Sequence, residues 1–126
     1  MNSYKIFHIG AVMAGLGIVA GAFGAHALKT VVSPEQLVTF EIGVRYQMYH
    51  ALGLIAIAAW FAQSGQKAAK APLLCLIYGT LIFSGTLYGI TLGGPKWLGA
   101  ITPIGGTLQI IGWMILAFKP NSTSAG

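Results

Sequence analysis

The charged residues fall, in order, at Lys5, Lys29, Glu35, Glu41, Arg45, Lys67, Lys70, Lys96 and Lys119, with mostly apolar sequence between them. Four uncharged windows result, 6–28, 46–66, 71–95 and 97–118, holding 23, 21, 25 and 22 residues. A helix crossing a bilayer core of about 30 Å needs about 20 residues at 1.5 Å each. Every window meets that length. The pattern predicts an all-α, integral membrane four-helix bundle in a single domain, 1–126. Its spans run at about 6–28, 46–63, 72–92 and 100–118. Charges gather at the span ends because burying one in hydrocarbon costs at least about 2.5 kcal/mol.

Local signals refine the boundaries. Ser33-Pro34-Glu35-Gln36 is a helix start: serine caps, proline suits the first helical position, and Gln36 closes a capping box. Leu37, Phe40 and Val44 then recur at helical spacing. They predict a short amphipathic segment, 34–45, leading into span two. Gly93-Gly94-Pro95 breaks span three. Thr102-Pro103 reads as an N-cap followed by a first-turn proline, so the fourth helix is expected to begin at Pro103. Leu98 to Ile101 would then form a non-helical strip. The polar segment 120–126 is expected to be disordered.

Composition narrows the class. Only 7% of the 126 residues are charged, 56% are apolar, eighteen are glycine and one is cysteine. Soluble domains carry about a quarter charged residues. A soluble enzyme, a disordered chain and a disulfide scaffold are all excluded. The net charge of +5 reflects missing acids rather than a basic patch, which argues against nucleic acid as a partner. Ala25-His26-Ala27 fits a cleavage site, but the apolar run before it is too long for a signal peptide. Lys5, Lys67, Lys70 and Lys119 share one side, against Lys29, Arg45 and Lys96 on the other. That bias puts both termini in the cytoplasm.

Two glycine patterns predict close helix packing. Gly17, Gly21 and Ala25 form one small-residue ridge, and Gly85, Gly89 and Gly93 form a second. Such ridges suit contacts within the bundle or between protomers.

Candidate chemistry concentrates at one depth. Threading four spans places His26, Arg45, Tyr46, Gln47, His50, Ser84, Tyr88 and Thr102 near the non-cytoplasmic leaflet. They read either as interhelical glue or as a polar pocket for a head group or small anion. No window contains Asp or Glu, which weighs against proton-coupled transport. Cys75 and Ser84 lack the base and orienting acid a nucleophile needs, so no catalytic residue is expected. His26 and His50 are the one pair that could hold a haem. Nothing else in the chain supports it, and no cofactor or metal is expected.

Gly21-Ala-Phe-Gly-Ala-His-Ala-Leu28, Tyr46-Gln-Met-Tyr-His-Ala51, Phe83-Ser-Gly-Thr-Leu-Tyr88, Leu98-Gly-Ala-Ile-Thr-Pro-Ile-Gly-Gly106 and Gly112-Trp113 stand in order along the chain. In these motifs it resembles the DUF-423 family, small membrane proteins whose relatives include a small eukaryotic transmembrane protein. The resemblance spans about 6–118 and implies a four-helix bacterial inner-membrane protein with no established activity. Position 86 departs mildly, with Thr where the family more often has Ser. No catalytic residue carries over.

The expected function is that of a non-enzymatic inner-membrane protein. Its partners would be membrane lipids and either its own copies or another membrane protein. The alternative is a small-solute or ion transporter or channel using the polar pocket.

Overall fold

In the computed structural model, residues 1–118 are described and form four helices. Helix α1 runs Ser3–His26, capped by the Asn2 side chain, which accepts from Lys5 N at 2.8 Å. A 3-10 turn, Leu28–Thr30, leads to α2, Pro34–Ser64. The capping box forms in both directions: Gln36 N donates to Ser33 Oγ at 3.1 Å, and Ser33 N donates to Gln36 Oε1 at 2.9 Å. Helix α3 covers Lys70–Thr91 and α4 covers Leu98–Phe118. The segment expected to be disordered, 120–126, lies outside the described residues.

The amphipathic segment and span two are one continuous helix of 31 residues. At 1.5 Å per residue it is about 46 Å long, more than a bilayer core requires. By length and composition α1 with its 3-10 turn, α3 and α4 are each apolar enough to cross a membrane. Helix α2 is not among them, because Tyr46, Gln47, Tyr49 and His50 dilute its apolar stretch. It nevertheless runs antiparallel along α1, pairing Gly24 with Phe40, Gly21 with Val44, Gly17 with Met48 and Gly10 with Ile55.

The start of α4 corrects the sequence-based boundary. Leu98 to Ile101 are helical, and Pro103 lies inside the helix. Three backbone bonds of the i→i+3 kind, Leu98 N to Pro95 O, Gly99 N to Lys96 O and Ala100 N to Trp97 O, begin it earlier. Pro103 is only its sixth residue, and the carbonyl four positions back belongs to Gly99. The missing donor falls just past the turn whose donors are unpaired in any helix. Thr102 is therefore no cap. Its Oγ1 donates back to Leu98 O at 3.1 Å.

Helix backbones come close only between neighbours in sequence, α1 with α2, α2 with α3 and α3 with α4, while α2 and α4 meet through the Trp113 ring, which lies over Gly53. Glycine sets how close they come. A methyl group at Gly10 would lie 2.8 Å from Ala51 O, and one at Gly105 only 2.5 Å from Phe83 N. Gly79 and Gly112 are equally closed, against Gly105 O at 2.9 Å and Leu76 Cδ2 at 2.9 Å. In hydrocarbon, where burying apolar surface gains little, such contact supplies the packing energy.

The predicted ridges therefore shift. On α1 the buried glycines are Gly10, Gly17 and Gly24. Their seven-residue spacing keeps them on one seam of two crossing helices. Gly17 and Gly21 both face α2, while Ala25 is exposed. On α3, Gly85 meets nothing in the chain, and Gly89 meets the Leu98 side chain. Gly93 is not helical; it turns the chain at φ +98°. The close face of α3 is instead centred on Gly79, because α4 approaches from that side.

An apolar core around Ile6, Leu54, Leu73 and Leu76 also holds buried polar groups, and the outside is largely apolar. His50, Thr80, Ser84, Thr86, Thr91 and Gln109 are buried, while Val12, Leu16, Ile18, Leu81 and Ile110 are exposed. That is the distribution a lipid solvent selects.

Candidate functional site

The eight polar residues expected to converge separate into groups. Gln47 and Tyr88 meet: the Tyr88 hydroxyl donates to Gln47 Oε1 at 2.7 Å, and Gln47 Nε2 donates to Met13 O at 2.9 Å. This chain of bonds ties α1, α2 and α3 together. Ser84 Oγ donates to Gly43 O at 2.6 Å, a second α2–α3 tie. Thr102 joins none of these. Its hydroxyl lies 2.7 Å from that of Thr86, across α3 and α4. His26 and Arg45 are exposed.

Tyr46 and His50 face the other way, toward α4. Trp113 Nε1 donates to His50 Nε2 at 3.1 Å. His50 Nε2 is then an acceptor, so the ring proton sits on Nδ1, 2.7 Å from the Tyr46 carbonyl it donates to. Both ring nitrogens have partners, and His50 is 4% exposed. The His50–Trp113 bond crosses between two helices whose backbones do not approach each other.

That gap is a groove. It encloses about 400 Å³ and is lined by Tyr46, Tyr49, His50, Phe83, Gly106, Gln109, Ile110 and Trp113. Glycine opens it, since larger side chains at Gly106 would fill the space beside the Phe83 ring. Aromatic faces dominate its walls, with Tyr46 packed 4.8 Å from Phe83 and 5.5 Å from Tyr49, ring centre to ring centre. Gln109, 4% exposed, donates from Nε2 to Thr80 Oγ1 at 3.2 Å.

The depth also changes. His50 is the seventeenth residue of α2 and Gln109 the twelfth of α4, each about halfway along its helix. Expectation put His50 near one leaflet with His26. Instead His26 ends α1, beside the start of α2, some 12 helical residues or about 18 Å of rise from His50. One haem cannot be held by both.

Gln109, Trp113, Tyr49 and Thr80 were missed from the sequence as site residues. Gln109 carried a signal, being the single amide in the 97–118 window. Trp113 was visible only as part of a motif, because its partner lies 63 residues away.

Glycine-packed helices with buried polar ties, an apolar exterior and a groove halfway along the helices define an all-α integral membrane protein. A family profile described as "Protein of unknown function (DUF423)" matches residues 20–106. The chain belongs to that family. It is 43% identical over 113 residues to a UPF0382 membrane protein of Staphylococcus epidermidis, covering 89% of this chain and 92% of the relative. It is 40% identical over 114 residues to the UPF0382 membrane protein YwdK of Bacillus subtilis, covering 89% and 93%. A UPF0382 membrane protein of Haemophilus influenzae is 37% identical over 101 residues, covering 80% and 81%. No solved structure matches.

Proposed function

We propose that this protein binds a lipid-soluble molecule in the groove between α2 and α4 and performs no catalysis of its own. The carrying observation is an aromatic groove of about 400 Å³ halfway along the helices, with the bonded His50 and Trp113 in its wall. Small-molecule sites occupy roughly 300–1,000 Å³ and are mostly apolar with a few placed polar groups. Four lining residues, Tyr46, Tyr49, Ile110 and Trp113, are exposed on the outer surface, so an occupant enters sideways from lipid. Transport is supported less. The polar groups that could extend a path, Gln47, Tyr88, Ser84, Thr86 and Thr102, are engaged in bonds between helices. The Gly17–Gly21 face serves α2 within the chain, which moves the emphasis from self-association to ligand binding.

Location follows from the charges. The protein sits in the bacterial inner membrane with both termini cytoplasmic, four helices crossing.

Filling the groove tests the reading. A methyl group at Gly106 would meet Phe83 Cδ2 at 3.6 Å, an ordinary contact, so Gly106→Leu blocks the space without a backbone clash. Native mass spectrometry in mild detergent is expected to find a bound lipid on the wild type and none on Gly106→Leu. Bare wild-type protein, or the same lipid on both, would overturn the proposal.

A further inference from the structure

The groove carries more chemical information than its size. Gln109 is 4% exposed, yet among the described residues only its Nε2 is bonded, to Thr80. Thr80 in turn donates to Leu76 O at 2.8 Å, which fixes the amide orientation. The Gln109 Oε1 and its second N–H have no partner among the described residues. Among the described residues no sealed side-chain nitrogen or oxygen lacks a partner, so these amide atoms remain accessible, and Gln109 lines the groove. Tyr46 and Tyr49 line the same groove, and their hydroxyls likewise bond to no described residue. At mid-depth in hydrocarbon no water satisfies such groups.

An occupant must therefore meet four requirements. It is neutral, because no charged residue lines the groove. Its polar atoms lie near mid-membrane, about 15 Å from the headgroup layer, which excludes a phospholipid head. It offers oxygens that accept from the tyrosine hydroxyls and the Gln109 N–H, or hydroxyls that donate to Gln109 Oε1. It presents a flat ring to the faces of Tyr46, Phe83 and Trp113, where offset stacking is favourable. We infer that the groove binds the ring of an isoprenoid quinone or quinol, its tail leaving sideways into the bilayer. This inference rests on the lipid-binding reading above and names the class of lipid.

The test uses the full chain in nanodiscs with Trp60→Phe and Trp97→Phe, both exposed positions, leaving Trp113 as the sole indole. Decylubiquinone and a naphthoquinone with a one-isoprene tail are titrated while Trp113 fluorescence is read. Saturable quenching is expected. Gln109→Leu is expected to weaken it at least about tenfold, the effect of one to two net hydrogen bonds. Because Gln109→Leu could disturb α3–α4 packing, the exposed pair Tyr46→Phe with Tyr49→Phe is measured alongside and is expected to weaken binding as well. In parallel, organic extracts of the purified wild type are examined for quinone. Linear quenching, equal in all variants, means partition into the bilayer only and overturns the inference. Extraction of a different lipid, lost in Gly106→Leu, overturns the quinone assignment while leaving the groove reading standing. Neither saturation nor any extracted lipid overturns both.

Discussion

His50 shows how one residue can join elements that the backbone leaves apart. Its Nδ1 is held by the carbonyl of Tyr46, four residues back on its own helix, and its Nε2 by Trp113 on α4. Replacing Trp113 with Phe keeps the ring and removes the donor. The expected loss is about 0.5–1.5 kcal/mol, the range of interhelical hydrogen bonds in membranes, read as a lowered midpoint in detergent-denaturant unfolding. An unchanged midpoint would show that the bond adds no stability. Tyr46 and Gln47 stand four and three residues before His50, and both steps look adjacent on a helical wheel. In the fold the turn of about 100° between Tyr46 and Gln47 decides the partner: Gln47 turns to α1 and α3, His50 to α4.

Among the elements, the glycines divide by whether a neighbour stands over them. Gly105 would put a methyl group 2.5 Å from Phe83 N, whereas Gly85 has nothing within 4 Å. Gly105→Val is therefore expected to abolish folded, monodisperse protein in size-exclusion chromatography, because the clash is with backbone. Gly85→Val is expected to be tolerated; the reverse pattern would mean α3 and α4 pack by another face. Helix positions were legible from the charge pattern, and the α2 start was legible to the residue from its capping box. The α4 start was not. Pro103 looked like a first-turn proline, but preceding i→i+3 bonds from Pro95 to Trp97 had already begun the helix. Whether a proline begins a helix or sits in its second turn depends on what precedes it, and that is a matter of geometry rather than residue type.

At the scale of the whole molecule, neighbour-on-neighbour packing leaves α2 and α4 meeting mainly through Trp113, which reaches Gly53 and His50, and the groove lies beside that contact. The crossing topology makes its own prediction. Single cysteines placed at Ser3 and at Gly65, in a Cys75→Ala background, should resist a membrane-impermeant maleimide in intact cells, while one at Thr30 or Gly94 should react. Labelling in the opposite sense would invert the orientation. By itself the sequence determined the membrane class, the helical fold and roughly where the helices fall along the chain, since these follow from local quantities: where charges cannot be buried and how far a helix rises per residue. Only the tertiary structure decided which glycines face a backbone, which polar residues meet, and that the groove lies halfway along α2 and α4. Those depend on the register and rotation of helices distant in sequence, so Gln109 and Trp113 acquired a role only when α4 was laid against α3 beside α2.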